Sequence, residues 1–323
     1  MEHNTSINEF SKPEENNASL LKRFYIYQKE RFPIIGHGML VASFSFSAIS
    51  YSLICRGVSG FVSWKIYAVG IFTTISLFML VRIFDEFKDA QDDAKFRKNL
   101  PVPRGLIRLK ELMVIGIILA ALQIAVNLYF FPKMLLIYVV IMGYLLLMTK
   151  EFFIADWLKK HQFWYITSHM FIIPLVDVYA SGLDWHLAAA AAPKGLLFFF
   201  VVSYMNGIVL EIGRKIRTPE DESEGVLTYT AMLGTNAAPV VWILVLFVTY
   251  CLSIAAAYYA GYGTELVVVL GVVFLLCCIP ALLFISYKTK KTAKLIEITA
   301  ALWTVSMYLS LGGVPMLNQL MFN

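Results

Sequence analysis

Nine stretches of predominantly apolar residues run almost end to end through this 323-residue chain, near 34–55, 62–84, 108–131, 133–149, 163–181, 195–213, 236–259, 264–286 and 294–317. An α-helix needs roughly 20 such residues to cross the hydrocarbon core of a bilayer. Lipid offers no partner to backbone N–H and C=O groups, so each span must satisfy its own as a helix. The chain is 59% hydrophobic and 15% charged, against roughly a quarter charged in a soluble domain. That excludes a soluble globular, fibrous or disordered protein. Cys55, Cys251, Cys277 and Cys278 all lie in apolar stretches, which is neither a disulfide framework nor a zinc-ligand spacing. The expected fold class is an all-α polytopic membrane protein with nine transmembrane helices. Residues 19–323 form one domain after an arm, 1–18, too polar to order itself. Residues 19–31 read as an amphipathic helix on the membrane surface.

An odd number of spans puts the two ends of the bundle on opposite sides, and basic residues choose the side. Of the 27 lysines and arginines, 22 fall in the N-terminal arm and the loops after spans 2, 4, 6 and 8, with their flanks. Only Arg56, Lys65, Lys133 and Lys194 fall on the other side, and Arg82 lies within span 2. The N-terminus and the even-to-odd loops are therefore expected in the cytoplasm. The net charge of +5 reflects topology and attraction to anionic lipid, not nucleic-acid binding.

Two of those cytoplasmic loops hold most of the distinctive acid. After span 2 comes Arg82-Ile-Phe-Asp85-Glu86-Phe-Lys88-Asp89-Ala-Gln-Asp92-Asp93. Asp85, Asp89 and Asp93 are spaced i, i+4, i+8, which stacks carboxylates along a helix, where like charges repel. A divalent cation relieves that repulsion, and Mg²⁺ favours one or two carboxylates, waters and phosphate oxygens. The competing reading is a solvated helix end with Arg82 and Lys88 as pairing partners. Arg82 sits at membrane depth, where a charge faces a cavity or a partner; it either bridges to Asp85 or aims a guanidinium fork at phosphate. The following Leu100-Pro101-Val102-Pro103-Arg104-Gly105 cannot continue a helix. It reads as a stiff turn into span 3, with Lys95, Arg97, Lys98 and Arg104 able to close over an anion.

The second loop follows span 6 and contains Glu211-Ile-Gly-Arg214-Lys215 and then Thr218-Pro219-Glu220-Asp221-Glu222. Glu211 is the better metal or diphosphate-network candidate, being at the membrane edge, with Arg214 and Lys215 one turn away. Thr218 and Pro219 read as a helix start, with the acids in its first turn. Inside the spans, Asp177 is the most costly residue. It is either a cavity-wall or catalytic carboxylate or a helix-packing hydrogen-bond acceptor. His169, Asn206, Asn127 and Gln123 read as interhelical hydrogen-bonding residues. Lys150, at the cytoplasmic end of span 4, either snorkels or touches phosphate.

Nine spans with acidic loops after spans 2 and 6 resemble the UbiA superfamily of intramembrane prenyltransferases, from about Phe32 to the end. The first signature of that family, N-D-x-x-D-x-x-x-D and then R-P-x-x-x-G, is similar to Asp85-Glu86-Phe-Lys-Asp89-Ala-Gln-Asp-Asp93 and Leu100-Pro101-Val-Pro-Arg-Gly105. Asp89 and Asp93 match; Asp85 stands for Asn, Glu86 for Asp and Leu100 for Arg. Where the second signature has D-x-x-x-D, this chain departs from it with Glu211-Ile-Gly-Arg214-Lys215, ahead of an inserted-looking 218–224. Either Glu211 with Glu220 or Asp221 builds a second metal site, or Arg214 and Lys215 replace one cation with fixed positive charge.

The resemblance implies helices around a central cavity and an isoprenoid diphosphate substrate drawn from a membrane-lipid setting. It implies Mg²⁺ as cofactor, held by Asp85, Asp89, Asp93 and Glu211. Arg82, Lys88, Lys150, Arg214 and Lys215 are the candidates for the diphosphate, and Asp177 and Glu211 for catalysis. The expected reaction is prenyl transfer to an acceptor, of the aromatic or quinone-precursor kind. Some relatives instead cyclise a prenyl diphosphate without an acceptor. A transporter is a third reading of Arg82 and Asp177, without the repeated halves common in that class.

Overall fold

The computed structural model describes residues 10, 12–222 and 225–322, and no strand occurs among the described residues. Two short helices, α1 (Pro13–Asn16) and α2 (Leu20–Arg31), precede the first span, α3 (Ile34–Cys55). The chain continues through α4 (Trp64–Lys88), α5 (Ala90–Phe96), α6 (Leu109–Phe130) and α7 (Leu135–Thr149). Next come α8 (Ala155–Lys160), α9 (Gln162–Met170), α10 (Ile172–Trp185), α11 (Leu196–Gly213) and α12 (Tyr229–Leu233). The last helices are α13 (Ala237–Tyr259), α14 (Thr264–Tyr287), α15 (Lys290–Tyr308) and α16 (Val314–Phe322). Among the described residues, nine segments are long and apolar enough to cross a membrane, close to the expected limits.

Two spans are interrupted for identifiable reasons. The fifth is α9 plus α10, broken at Phe171. Pro174 has no N–H to give the Met170 carbonyl, so the helical ladder lapses there. The ninth is α15 plus α16, joined by a π-helical turn at Leu309–Gly313. Gly312 of that turn lies against α3, where a Cβ would stand 2.3 Å from the Ser47 carbonyl oxygen. Only glycine permits so close an approach.

Burial separates core helices from lipid-facing ones. The apolar windows of α3, α4 and α11 are 61%, 56% and 56% buried, whereas those of α6 and α14 are 17% and 28% buried. Ile117, Leu128, Val268 and Leu275 on the latter two are exposed apolar side chains, as expected where the solvent is hydrocarbon. Ser45, Ser47, Ser50 and Ser52 on α3 are buried; small residues of this kind let helices pack closely.

Helix α2 is bound firmly to the bundle's charged end. Arg23 grips Glu111 with two bonds of 2.8 and 2.6 Å, and Arg104 grips Glu30 with two of 2.7 and 2.8 Å. Tyr27 and Phe32 pack with Met79, Ile83, Ile107 and Leu112. Of the arm expected without structure, 1–18, residues 1–9 and 11 lie outside the described residues. Pro13–Asn16 form a helical turn, and Asn16 donates to the Arg104 carbonyl at 3.4 Å.

Candidate functional site

Helix α4 runs a full turn beyond the apolar limit expected at residue 84 and ends at Lys88; Asp89 (φ −91°, ψ 4°) forms a kink into α5. Helical backbone bonds continue across it, from Asp89 N to Asp85 O at 2.9 Å and from Asp93 N to Asp89 O at 2.8 Å. The three aspartates nonetheless do not share a face, contrary to the expectation from spacing. Each helical residue turns the side chain by roughly 100°, so Asp93 lies roughly 80° round from Asp85 and only roughly 20° from Glu86. Glu86 and Asp93 are each 1% exposed and turn toward Arg31. Asp85 and Asp89 keep partly exposed carboxylates beside Lys88, whose Nζ is 3.4 Å from Asp85 and 3.9 Å from Asp89. Lys88 also donates to the Tyr165 hydroxyl at 3.0 Å.

Arg82 turns its guanidinium to Glu86 at 2.8 Å and to Asp85 at 3.6 Å, so the bridging alternative is the one realised. Arg97 stands 3.0 Å from Asp93 and Arg104 is taken by Glu30; neither closes over the mouth. Burial pushes the Asp93 carboxyl up to about 6, with Arg97 opposing. Burial likewise raises Asp89, with Lys88 opposing.

Beside this run lies a cavity of about 270 Å³ bounded by Lys88, Asp89, Asp92, Lys150, Glu151 and Lys159. Lys150 is presented at the end of α7, just before three successive left-handed residues, Glu151, Phe152 and Phe153 (φ 47°, 54° and 62°). Such a conformation costs about 1–2 kcal/mol per L-residue, and stored strain of this kind clusters at functional sites.

The second loop brings cations to the same end. Glu211, 6% exposed, takes Lys215 on one oxygen at 2.7 Å. Its other oxygen accepts from Arg214, with Nε at 2.7 Å and Nη2 also in contact. Arg214 lies within the electrostatic reach of Asp85, so charges from the two loops meet. Gly225 (φ +75°) sits so close to the Phe96 ring that a Cβ would come within 2.5 Å of it, which presses the second loop onto α5. The expected helix at Thr218 is a single 3₁₀ turn, Pro219–Asp221. Thr218 Oγ1 donates to Asp221 at 3.0 Å, and Lys290 bridges to Asp221 at 2.5 Å. Glu222 accepts from Thr228 and Thr230 at 2.6 Å each. Asp221 and Glu222 thus fasten the loop.

Asp177 is placed elsewhere. It is fully buried on α10 with neither carboxylate oxygen hydrogen-bonded, among Ser203 and Tyr308. It does not line the charged cavity.

Tyr165, beside the cations, was not singled out from sequence, whereas His169 was expected only as an interhelical hydrogen-bonding residue. Tyr165 holds Lys88, and His169 stacks on Tyr165 at 4.1 Å between ring centroids. His169 Nδ1 is 2.8 Å from the Tyr165 carbonyl. A carbonyl only accepts, so that nitrogen carries the hydrogen. Nε2 is left as a buried lone pair with no partner, within the fields of Lys88, Asp85 and Glu211. Nothing in the one-dimensional spacing links these residues to the acidic loops.

Among the described residues no three His, Cys, Asp or Glu side chains stand together closely enough to hold a metal ion. Asp85 and Asp89 nevertheless fit a hard cation that takes one or two carboxylates and completes its shell with water and phosphate oxygens. Glu211 does not, because both its oxygens are held at 2.7 Å by Arg214 and Lys215, whereas Arg82 and Lys88 stand off Asp85 at 3.6 and 3.4 Å.

The sequence profile of the UbiA prenyltransferase family matches residues 44–314. The fold is similar to the apo structure of a UbiA homolog from Aeropyrum pernix K1, with a TM-score of 0.63 and 15% identity, covering 84% of this chain and 96% of that one. It is also similar to a structure concerned with digeranylgeranylglyceryl phosphate synthase in membranes, with a TM-score of 0.55 and 17% identity, covering 91% and 99% of the two chains. Among curated proteins no sequence match was found.

Proposed function

The chain belongs to the UbiA prenyltransferase family, and from that premise we propose that it ionises an allylic isoprenoid diphosphate at the charged mouth of its helix bundle and transfers the prenyl group to an acceptor. The observation that carries this reading is the convergence of Asp85, Asp89, Lys88 and Lys150 with Arg214 and Lys215 at one end of an apolar bundle. Acid alone would repel a diphosphate; acid with flanking cations suits a diphosphate carrying a divalent ion.

Asp85 and Asp89 would hold Mg²⁺. When bound, Mg²⁺ offsets the negative charge that develops on the leaving diphosphate. Lys88 and Lys150 would contact its oxygens from the cavity side, and Arg214 and Lys215 from the other side. Glu211 keeps the latter two in position. These fixed cations stabilise the departing charge without reorganisation. The apolar helices exclude water from the allylic cation. The bond from the diphosphate oxygen to the prenyl carbon breaks, the diphosphate keeps the electron pair, the acceptor supplies the pair for the new bond, and the proton the acceptor then loses passes to the released diphosphate. The mouth faces the cytoplasm in this reading, in keeping with the basic loops around it.

The test is purified protein with Mg²⁺ and a C15 or C20 diphosphate, with and without a phenolic or quinone-precursor acceptor. Turnover only when acceptor is present supports transfer. A cyclic hydrocarbon or alcohol formed without acceptor assigns the cyclase alternative. No diphosphate release in either arm refutes both.

A further inference from the structure

We propose that Arg31, on the N-terminal surface helix, is a positioning residue of this site: a resident cation that holds Glu86 and Asp93 away from metal and leaves Asp85 and Asp89 as the pair that binds one ion. The proposal rests on the diphosphate reading above. Its structural ground is a division of four acids into two pairs. Glu86 and Asp93 are seven residues apart, two helical turns, and face the same way. Arg31 hydrogen-bonds Glu86 through Nε at 2.7 Å and brings Nη2 to 4.0 Å from Asp93, whose two oxygens have no hydrogen-bond partner. Arg82 and Tyr27 add bonds to the same Glu86 oxygen at 2.8 and 3.5 Å, and Arg97 covers the other side of Asp93. None of these groups bounds the charged cavity; Asp89 and Asp92 do, and Asp85 lies beside it on Lys88.

Arg31 is no loose surface side chain. It is 13% exposed and is the last residue of α2, which the Arg23–Glu111 and Arg104–Glu30 forks clamp at both ends. Buried carboxylates without a counter-charge are strongly unfavourable. A cation is therefore required between Glu86 and Asp93 whether or not substrate is present. A guanidinium fixed to the helix backbone supplies it permanently, and no hydrated divalent ion has to be stripped to do so. Two further changes at the site agree with a reduced need for metal: Lys215 stands where the second signature places an acid, and Glu211 spends both oxygens on Arg214 and Lys215.

The test counts Mn²⁺ bound to the full-length protein in detergent, by electron paramagnetic resonance of free ion, with inorganic pyrophosphate as the probe. The wild type is expected to bind one pyrophosphate-dependent Mn²⁺ per chain. Arg31→Met is expected to bind a second, and Arg31→Lys to stay at one. Asp93→Asn is expected to leave Mn²⁺ affinity within twofold of wild type, while Asp89→Asn weakens it at least tenfold. The Asp93 and Asp89 variants decide the matter even if Arg31→Met fails to fold. Two ions in the wild type, or a tenfold loss in Asp93→Asn, overturns the role given to Arg31. No pyrophosphate-dependent Mn²⁺ in the wild type overturns the diphosphate reading itself, and Arg31's role with it.

Discussion

Replacing Glu211 by Gln separates two roles that the residue could play, metal ligand and anchor of cations. The side chain is 7% exposed and holds Lys215, 30% exposed, and Arg214, 55% exposed. A hydrogen bond to a charged group contributes about 1.5–3 kcal/mol, but exposed ion pairs contribute about 0–1 kcal/mol. The exposure of Arg214 puts its pairing at the low end, so the three-residue group contributes roughly 2–3 kcal/mol in all. Gln retains the shape and one acceptor oxygen, so about 1 kcal/mol is expected to be lost, a fall of roughly 1–2 °C in Tm for a chain of this size. The same loosening of Lys215 and Arg214 is expected to raise the KM for the prenyl diphosphate about tenfold, the equivalent of 1.4 kcal/mol. The Mg²⁺ concentration giving half-maximal rate should stay within twofold, because Glu211 does not touch the ion. Steady-state release of diphosphate, titrated separately in substrate and Mg²⁺, reads both. A tenfold shift in the Mg²⁺ requirement with an unchanged substrate KM would refute the anchoring role.

Lys150→Met and Lys88→Met are each expected to cut kcat/KM about 10- to 100-fold, since each removes a charge-assisted contact worth about 1.5–3 kcal/mol; wild-type kcat/KM in both would remove the cavity from the site. Phe153 is left-handed and 77% exposed, so Phe153→Gly should relieve strain of about 1–2 kcal/mol and raise Tm; an unchanged or lower Tm contradicts the strain. Asp93 takes up its proton near pH 6 in the folded protein, above its ordinary 3.8. Folding therefore binds a proton between those values, and the carboxyl's contribution to stability falls as pH rises from about 4 to about 6. The Tm of wild type minus that of Asp93→Asn, followed over that range, should decline and then level off; a flat difference contradicts the burial.

Hydropathy alone located the spans, because the bilayer imposes a length on every crossing segment. It misjudged the end of α4, since a helix need not stop where its apolar residues do: Arg82, Asp85 and Lys88 support one more turn by i, i+3 pairing. Spacing also suggested three aspartates on one face. The drift of an α-helix against a four-residue repeat instead sends Asp93 round to Glu86. The partners that complete the picture, Arg31 for Glu86 and Tyr165 for Lys88, lie 55 and 77 residues away in sequence. No local pattern could pair them. Lys150, named from its place at a span's end, does reach the cavity. Asp177, named for the expense of a charge in lipid, is buried in the bundle interior and does not line that cavity.

The most direct test is the binding of a non-ionisable thiodiphosphate analogue of the prenyl donor, measured calorimetrically with Mg²⁺ and with EDTA, to wild type and to the Asp85→Asn/Asp89→Asn variant. Wild type is expected to bind at least tenfold more tightly with Mg²⁺, and the double variant is expected to bind equally in both conditions. Mg²⁺-independent binding by the wild type, or an undiminished Mg²⁺ effect in the variant, would contradict a metal–diphosphate site at Asp85 and Asp89.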